Sequence, residues 1–188
     1  MKDCPYPKPQ RSLTSLNQRL SASTQNQRRV RRKTETTVTS NAKEVINAYT
    51  DGSCITQKCL GGWAFILTRA DKELERSGHE RKTTSNRMEL TAAIKALEVI
   101  YKKYPNNPIT VHTDSQYVKN GITTWIRCWK RNGWRRSDRK PVLNADLWQK
   151  LDELNESMNV SWEWVKAHNG HPLNERVHML AYSAIPQK

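Results

Sequence analysis

The sequence is short of acid. Its 188 residues hold 32 Lys and Arg against 18 Asp and Glu, for a formal charge of +14. That balance predicts attraction to polyanions, nucleic acid first among them. The chain also lacks any apolar run near the ~18 residues that would span a membrane. No apolar stretch of signal-peptide type follows the N-terminus, so no membrane or secreted protein is expected. The four cysteines, Cys4, Cys54, Cys59 and Cys128, are spaced neither as CxxC metal pairs nor as a disulfide framework. They read as reduced thiols of an intracellular protein, cytoplasmic by default. No internal repeat is present.

The charge is uneven. Residues 1–43 hold ten basic and two acidic residues, so +8, which leaves 14 − 8 = +6 for the rest. This segment is rich in Ser, Thr, Gln, Asn and Arg and poor in aliphatics, the composition of a disordered extension. Its cluster Arg28-Arg29-Val30-Arg31-Arg32-Lys33 fits a solvated linker, a nucleic-acid tether, or an address to nucleus or mitochondrion. A folded domain is expected over residues 44–188.

Within that domain, Val45–Thr50 is an apolar run of strand type, closed by Asp51 with Gly52-Ser53 expected to turn the chain away. Strands are expected again through Trp63–Thr68 and Glu73–Lys82, joined by a polar turn at Arg69–Lys72. Leu90, Ala93, Ile94, Leu97, Ile100, Tyr101 and Tyr104 keep a 3.6-residue period up to Pro105. Ile109–Thr113 is a β-branched run ending at Asp114, so strand, helix and strand form a crossover and a parallel pair. Residues 115–154 read as helical with breaks at Gly121, Gly133 and Pro141. A last strand (Val160–Lys166), a loop holding His168 and His171, and a helix capped by Asn174 complete an α/β chain.

Asp51 and Asp114 thus end strands that the crossover makes neighbours, and Glu89 lies one turn into the first helix. Taken alone, Glu89 reads as the far end of a capping box begun by Asn86, and Asp51 as a turn residue. Like charges gathered at one sheet edge repel, and ligands of open sheets collect at the carboxyl ends of strands. Oxygen ligands of this kind suit Mg²⁺ or Mn²⁺.

Tyr49-Thr50-Asp51-Gly52-Ser53-Cys54, Thr84-Ser85-Asn86-Arg87-Met88-Glu89-Leu90 and Thr113-Asp114-Ser115-Gln116-Tyr117-Val118 resemble the three signature segments of type 1 ribonuclease H. Residues 122–148 resemble its basic protrusion and the helix after it. Trp162–His168 and His171–Arg176 resemble its final strand, flexible loop and last helix. The resemblance runs from about residue 45 to 184. It implies a ribonuclease H-like five-stranded mixed sheet, three antiparallel strands then two parallel, flanked by helices. It implies hydrolysis of the RNA strand of an RNA–DNA hybrid to 5′-phosphate and 3′-hydroxyl ends by a monomer. Two Mg²⁺ ions ~4 Å apart would act with substrate, Asp51 bridging both and Glu89 and Asp114 holding one each. His168 would be a mobile proton shuttle or product-release group. Asn86 and Gln116, with the backbone near Cys54, would read the ribose 2′-hydroxyl. The deoxy strand would cross Trp129, Lys130, Arg131, Trp134 and Arg135, while Trp125 and Trp148 are expected in the core. Asn174 is grouped with the substrate contacts, and His171 is read as structural.

Two departures stand out. Where the family has a fourth carboxylate on the last helix, this chain has His178. Imidazole suits Mn²⁺ better than Mg²⁺, so His178 is expected as a weaker metal ligand. The loop Ile55-Thr56-Gln57-Lys58-Cys59-Leu60 replaces a glycine-rich stretch, which reduces close backbone approach to RNA; Lys58 is the candidate phosphate contact there. The competing expectations are a hybrid-binding protein impaired by His178, and the ribonuclease H domain of a polymerase or integrase-like element. The three acids favour an enzyme, and the initiating Met favours a standalone one.

Overall fold

The computed structural model describes residues 43–167 and 169–186. The N-terminal extension, apart from Lys43, and His168 lie outside the described residues. In chain order the elements are β1 (Ile46–Ile55), β2 (Leu60–Arg69), β3 (Lys72–Arg81), α1 (Ser85–Lys103), β4 (Ile109–Thr113) and α2 (Gln116–Asn120). A π-helical turn (Gly121–Trp125) follows, then α3 (Ile126–Arg131), α4 (Ala145–Ser157), β5 (Val160–Trp164) and α5 (Pro172–Ser183).

The sheet runs β3-β2-β1-β4-β5. β1, β2 and β3 are antiparallel, whereas β4 and β5 are parallel to β1. This is the α/β arrangement expected, three antiparallel strands and then two parallel. No helix among the described residues is long and apolar enough to cross a membrane. Cys54, Cys59 and Cys128 are free thiols.

Alternation along β1 and β2 sorts side chains to two faces. Ile46, Ala48, Phe65 and Leu67 pack with Leu90, Ala93, Ile94, Leu97 and Ile100 of α1. Tyr49, Ala64 and Ile66 pack with Val177 and Ala181 of α5. Each large aliphatic or aromatic side chain removed from water contributes about 1.5–3 kcal/mol, so both faces hold their helix firmly. α1 begins earlier than its apolar period suggested. Thr84 is its cap and accepts from the Arg87 N–H at 3.4 Å. Glu89 therefore lies beyond the capping turn, and the capping-box reading of Asn86–Glu89 is corrected.

The expected break at Gly121 is absent, because the chain continues through the π turn. Gly121 lies against the Trp148 indole, where a Cβ would overlap the ring. Its role is to let two helices approach. Trp148 fills the space between them with Trp125 and Trp129. Trp129 lies 5.8 Å from Trp125 and 5.3 Å from Trp148, centroid to centroid. It is 3% exposed, so the expectation that it meets the deoxy strand is corrected to a packing role. Lys130 is corrected too. Its ammonium is held by Asp152 at 2.7 Å and Glu156 at 2.6 Å on α4, which neutralises it within the protein.

β1 meets α1 most closely at Gly52, where a Cβ would run into the backbone of Met88 and Glu89. Neither neighbour is a flexible side chain that could swing away, so Gly52→Ala is expected to cost about 3 kcal/mol of stability by overpacking. Urea denaturation of the two proteins checks this.

Candidate active site

β1 and β4 pair in parallel as far as Thr50 and Thr113. Asp51 follows within β1 and Asp114 follows the end of β4, so the register sets the two residues side by side. Asp51 is not a strand terminus, however. β1 stays paired with β2 through Ile55, and the turn comes later, at Thr56–Lys58. The expected turn at Gly52-Ser53 is corrected: antiparallel pairing continues where parallel pairing stops, and Gly52 is needed for contact with α1.

That contact delivers Glu89. One ligand oxygen each from Asp51, Glu89 and Asp114 lie within 4.8 Å of one another. Asp51 is buried at 3% exposed, and its Oδ1 accepts from the Gly52 N–H at 2.8 Å. Glu89 Oε2 is shut off from solvent and has no hydrogen-bond partner. Leaving such an atom unsatisfied costs about 1–3 kcal/mol, and more when it is charged. Burial, and then the charges of Asp51 and Asp114, push the Glu89 carboxyl well above the usual glutamate range, with the Gly52 amide opposing. Burial, and then Asp51, also raise Asp114, against Asn174, its own backbone amide and His178. The donor set fits a hard divalent cation. It is all oxygen, its charges repel without one, and one oxygen has no donor from the protein.

The last helix braces the other side. His178 Nδ1 lies 2.7 Å from Asp51 Oδ2, the ring N–H donating to the carboxylate. Among the described residues the cluster has three members, and His178 is not one of them. It meets the site as a hydrogen-bond partner of Asp51. Asn174 is 3% exposed and donates from Nδ2 to Asp114 Oδ2 at 3.4 Å. It does not cap α5. His171 occupies the cap position, without a side-chain cap bond, and Pro172 follows. Glu175 turns away and accepts from the Gly170 N–H at 3.1 Å.

The remaining expected residues divide. Asn86 and Gln116 are exposed at the starts of α1 and α2, three residues before Glu89 and two after Asp114. Cys54 is half-buried, with its thiol directed at the Thr83 carbonyl 3.6 Å away. Arg131 and Arg135 are exposed on the protrusion, and Arg135 Nη1 donates to the Arg139 carbonyl at 2.9 Å. Trp134 is half-buried beside them, with a left-handed backbone (φ 60°). The tie between this region and α1 is not visible in local spacing. Arg87 grips the Asp146 carboxylate with both guanidinium nitrogens, at 3.2 and 2.9 Å. Asn144 and Trp148 both donate to the Tyr117 hydroxyl, at 3.3 and 3.1 Å. These partners lie 27 to 59 residues apart, beyond the reach of local spacing.

The raised Glu89 and Asp114 fix the sign of a pH effect. An acid whose folded pKa exceeds its unfolded value favours folding when protonated, so that stability is lost as pH rises through the folded pKa. Without metal, thermal stability is expected to fall from pH 5 to pH 8, above the ordinary glutamate value of 4.5. Glu89→Gln should flatten this slope and raise the melting temperature at pH 8. Calorimetric scans in chelator at both pH values test it.

The profile of the RNase H family matches residues 42–186, which include all three acids. A ribonuclease H of Bradyrhizobium diazoefficiens is 54% identical over 143 residues, covering 75% of this chain and 90% of that protein. A ribonuclease H of Paracoccus denitrificans is 54% identical over 143 residues, covering 73% and 90%. Among solved structures, LC9-RNase H1, described as a type 1 RNase H with the type 2 active-site motif, aligns with a TM-score of 0.67 at 30% identity, covering 76% of this chain and 72% of that one. Sheet order, acidic cluster and relatives agree: the chain belongs to the RNase H family and is a ribonuclease H.

Proposed function

We propose that the protein is an endonuclease that hydrolyses the RNA strand of RNA–DNA hybrids, leaving 5′-phosphate and 3′-hydroxyl ends. The observation that carries this reading is the orphaned Glu89 Oε2, set among three carboxylates at the β1–β4 edge. Asp51, Glu89 and Asp114 would hold divalent cations. When bound, such cations supply positive charge for the attacking water and the leaving 3′-oxygen. The protein's own groups do the rest. Asp51 is fixed by the Gly52 amide and His178, so its carboxylate is set before substrate arrives. Asn174 sets Asp114. Glu89 keeps one oxygen that is closed to solvent and has no donor from the protein, which leaves that oxygen for a cation.

Asn86 and Gln116, exposed on either side of the acids, would read the 2′-hydroxyl. Arg131, Arg135 and Trp134 would meet the deoxy strand, its phosphates drawn by a chain of net charge +14. His168 is retained as the proposed proton carrier. Residues 1–43, carrying +8, would add non-specific attraction to the same polyanion. An end-labelled hybrid incubated with Mg²⁺, and separately with Mn²⁺, tests the reading. Cleavage of the RNA strand with at least one ion is expected, and Asp51→Asn should abolish it. An intact hybrid with both ions would favour a binding protein instead.

His178 sets the ion preference in this reading. A ring N–H on Asp51 takes up one of its oxygens, and an imidazole adds no negative charge where a carboxylate would. His178→Asp is therefore expected to raise Mg²⁺-supported activity and lower the Mg²⁺ concentration at half-maximal rate. An unchanged Mg²⁺ titration would refute this role.

A further inference from the structure

Asp114 lies one residue past the end of β4 and outside both of its ladders. Pairing with β1 ends at Thr50–Thr113, and pairing with β5 ends at Thr113–Trp164. The Val165 N–H still reaches the Thr113 carbonyl at 3.0 Å. Beyond that point Ser115 caps α2, its hydroxyl accepting from the Val118 N–H at 3.3 Å. The Asp114 backbone is thus in transition from strand to helix, where a carbonyl has no ladder partner to rely on. It does not turn to water. The indole N–H of Trp164 donates to it at 3.0 Å.

Trp164 is the last residue of β5 and 43% exposed. An indole so exposed would lose little by turning its N–H to solvent. It is instead held in one orientation against one carbonyl, and that carbonyl belongs to an acid of the cluster. We propose that Trp164 is a positioning residue for the reaction, fixing the backbone from which the Asp114 carboxylate projects. The side chain of Asp114 is held by a different partner, the Asn174 amide at 3.4 Å. Trp164 therefore secures the base of Asp114 and Asn174 secures its tip. Neither bond substitutes for the other, because a carboxylate steadied only at the tip still shifts when its Cα moves. The proposal rests on the reading of the cluster as a metal-dependent nuclease site, and it adds a residue that touches neither metal nor substrate.

Two variants at position 164 separate the donor from the ring. Trp164→Phe keeps an aromatic ring and removes the N–H. Replacement by 3-benzothienylalanine keeps the bicyclic shape and exchanges the N–H for sulfur. Loss of such an outer partner typically costs about tenfold or more in metal affinity or activity. In both variants kcat on the hybrid should fall about tenfold while KM stays within about twofold. Mn²⁺ affinity, measured by calorimetry on the hybrid-free protein, should weaken about tenfold. Wild-type kcat and Mn²⁺ affinity in both variants would overturn the proposal. So would a loss confined to Trp164→Phe, since ring packing would then be its cause. If the unsubstituted protein leaves the hybrid intact, the nuclease reading fails, and the Mn²⁺ affinities alone decide the role of Trp164.

Discussion

Three carboxylates that repel one another are held together, and much of the chain is arranged so that they cannot separate. Parallel register sets Asp51 beside Asp114. A residue without a side chain at position 52 lets α1 come close enough to add Glu89. The electrostatic cost shows in the direction of the pKa shifts, both upward and both led by burial. The apolar packing on the two faces of the sheet must outweigh that cost, and its extent is sufficient: most of one face of α1 is buried against β1 and β2.

The two faces contribute different things. The α1 face supplies the acid left without a partner, Glu89. The α5 face supplies hydrogen-bond donors: His178 to Asp51 and Asn174 to Asp114. The sheet between them carries Asp51 within β1 and leads into Asp114 just past the end of β4. One acid thus keeps an oxygen without a protein donor while the other two are each held by a donor from α5.

The acids were legible in the sequence because a strand period ending in Thr-Asp occurs twice, and because the crossover between the two runs fixes them as neighbours. Glu89 was legible only through the family pattern, since its spacing from Asn86 equally fits a cap; the actual cap, Thr84, sits two residues earlier. The continuation of β1 past Asp51 depends on β2 and could not be read from β1 alone. Trp129 did carry a usable signal. Trp125 and Trp129 are four apart, a helical repeat that puts both on one face, and that face meets Trp148. The cations between the tryptophans drew attention to the surface instead. Lys130 differs for another reason: its partners are on α4, more than twenty residues on.

Asp51 and His178 stand 127 residues apart, and α5 is the last of the described elements. During synthesis β1 to β4 and α1 emerge well before the helix that clamps Asp51 and covers Tyr49, Ala64 and Ile66. A nascent chain without α5 would already carry most of its positive charge, and so would be drawn to nucleic acid, while the donors that hold Asp51 and Asp114 were missing. Attraction to the polymer thus matures earlier along the chain than the ability to cut it, and the final helix acts as a completion check written into the order of the elements.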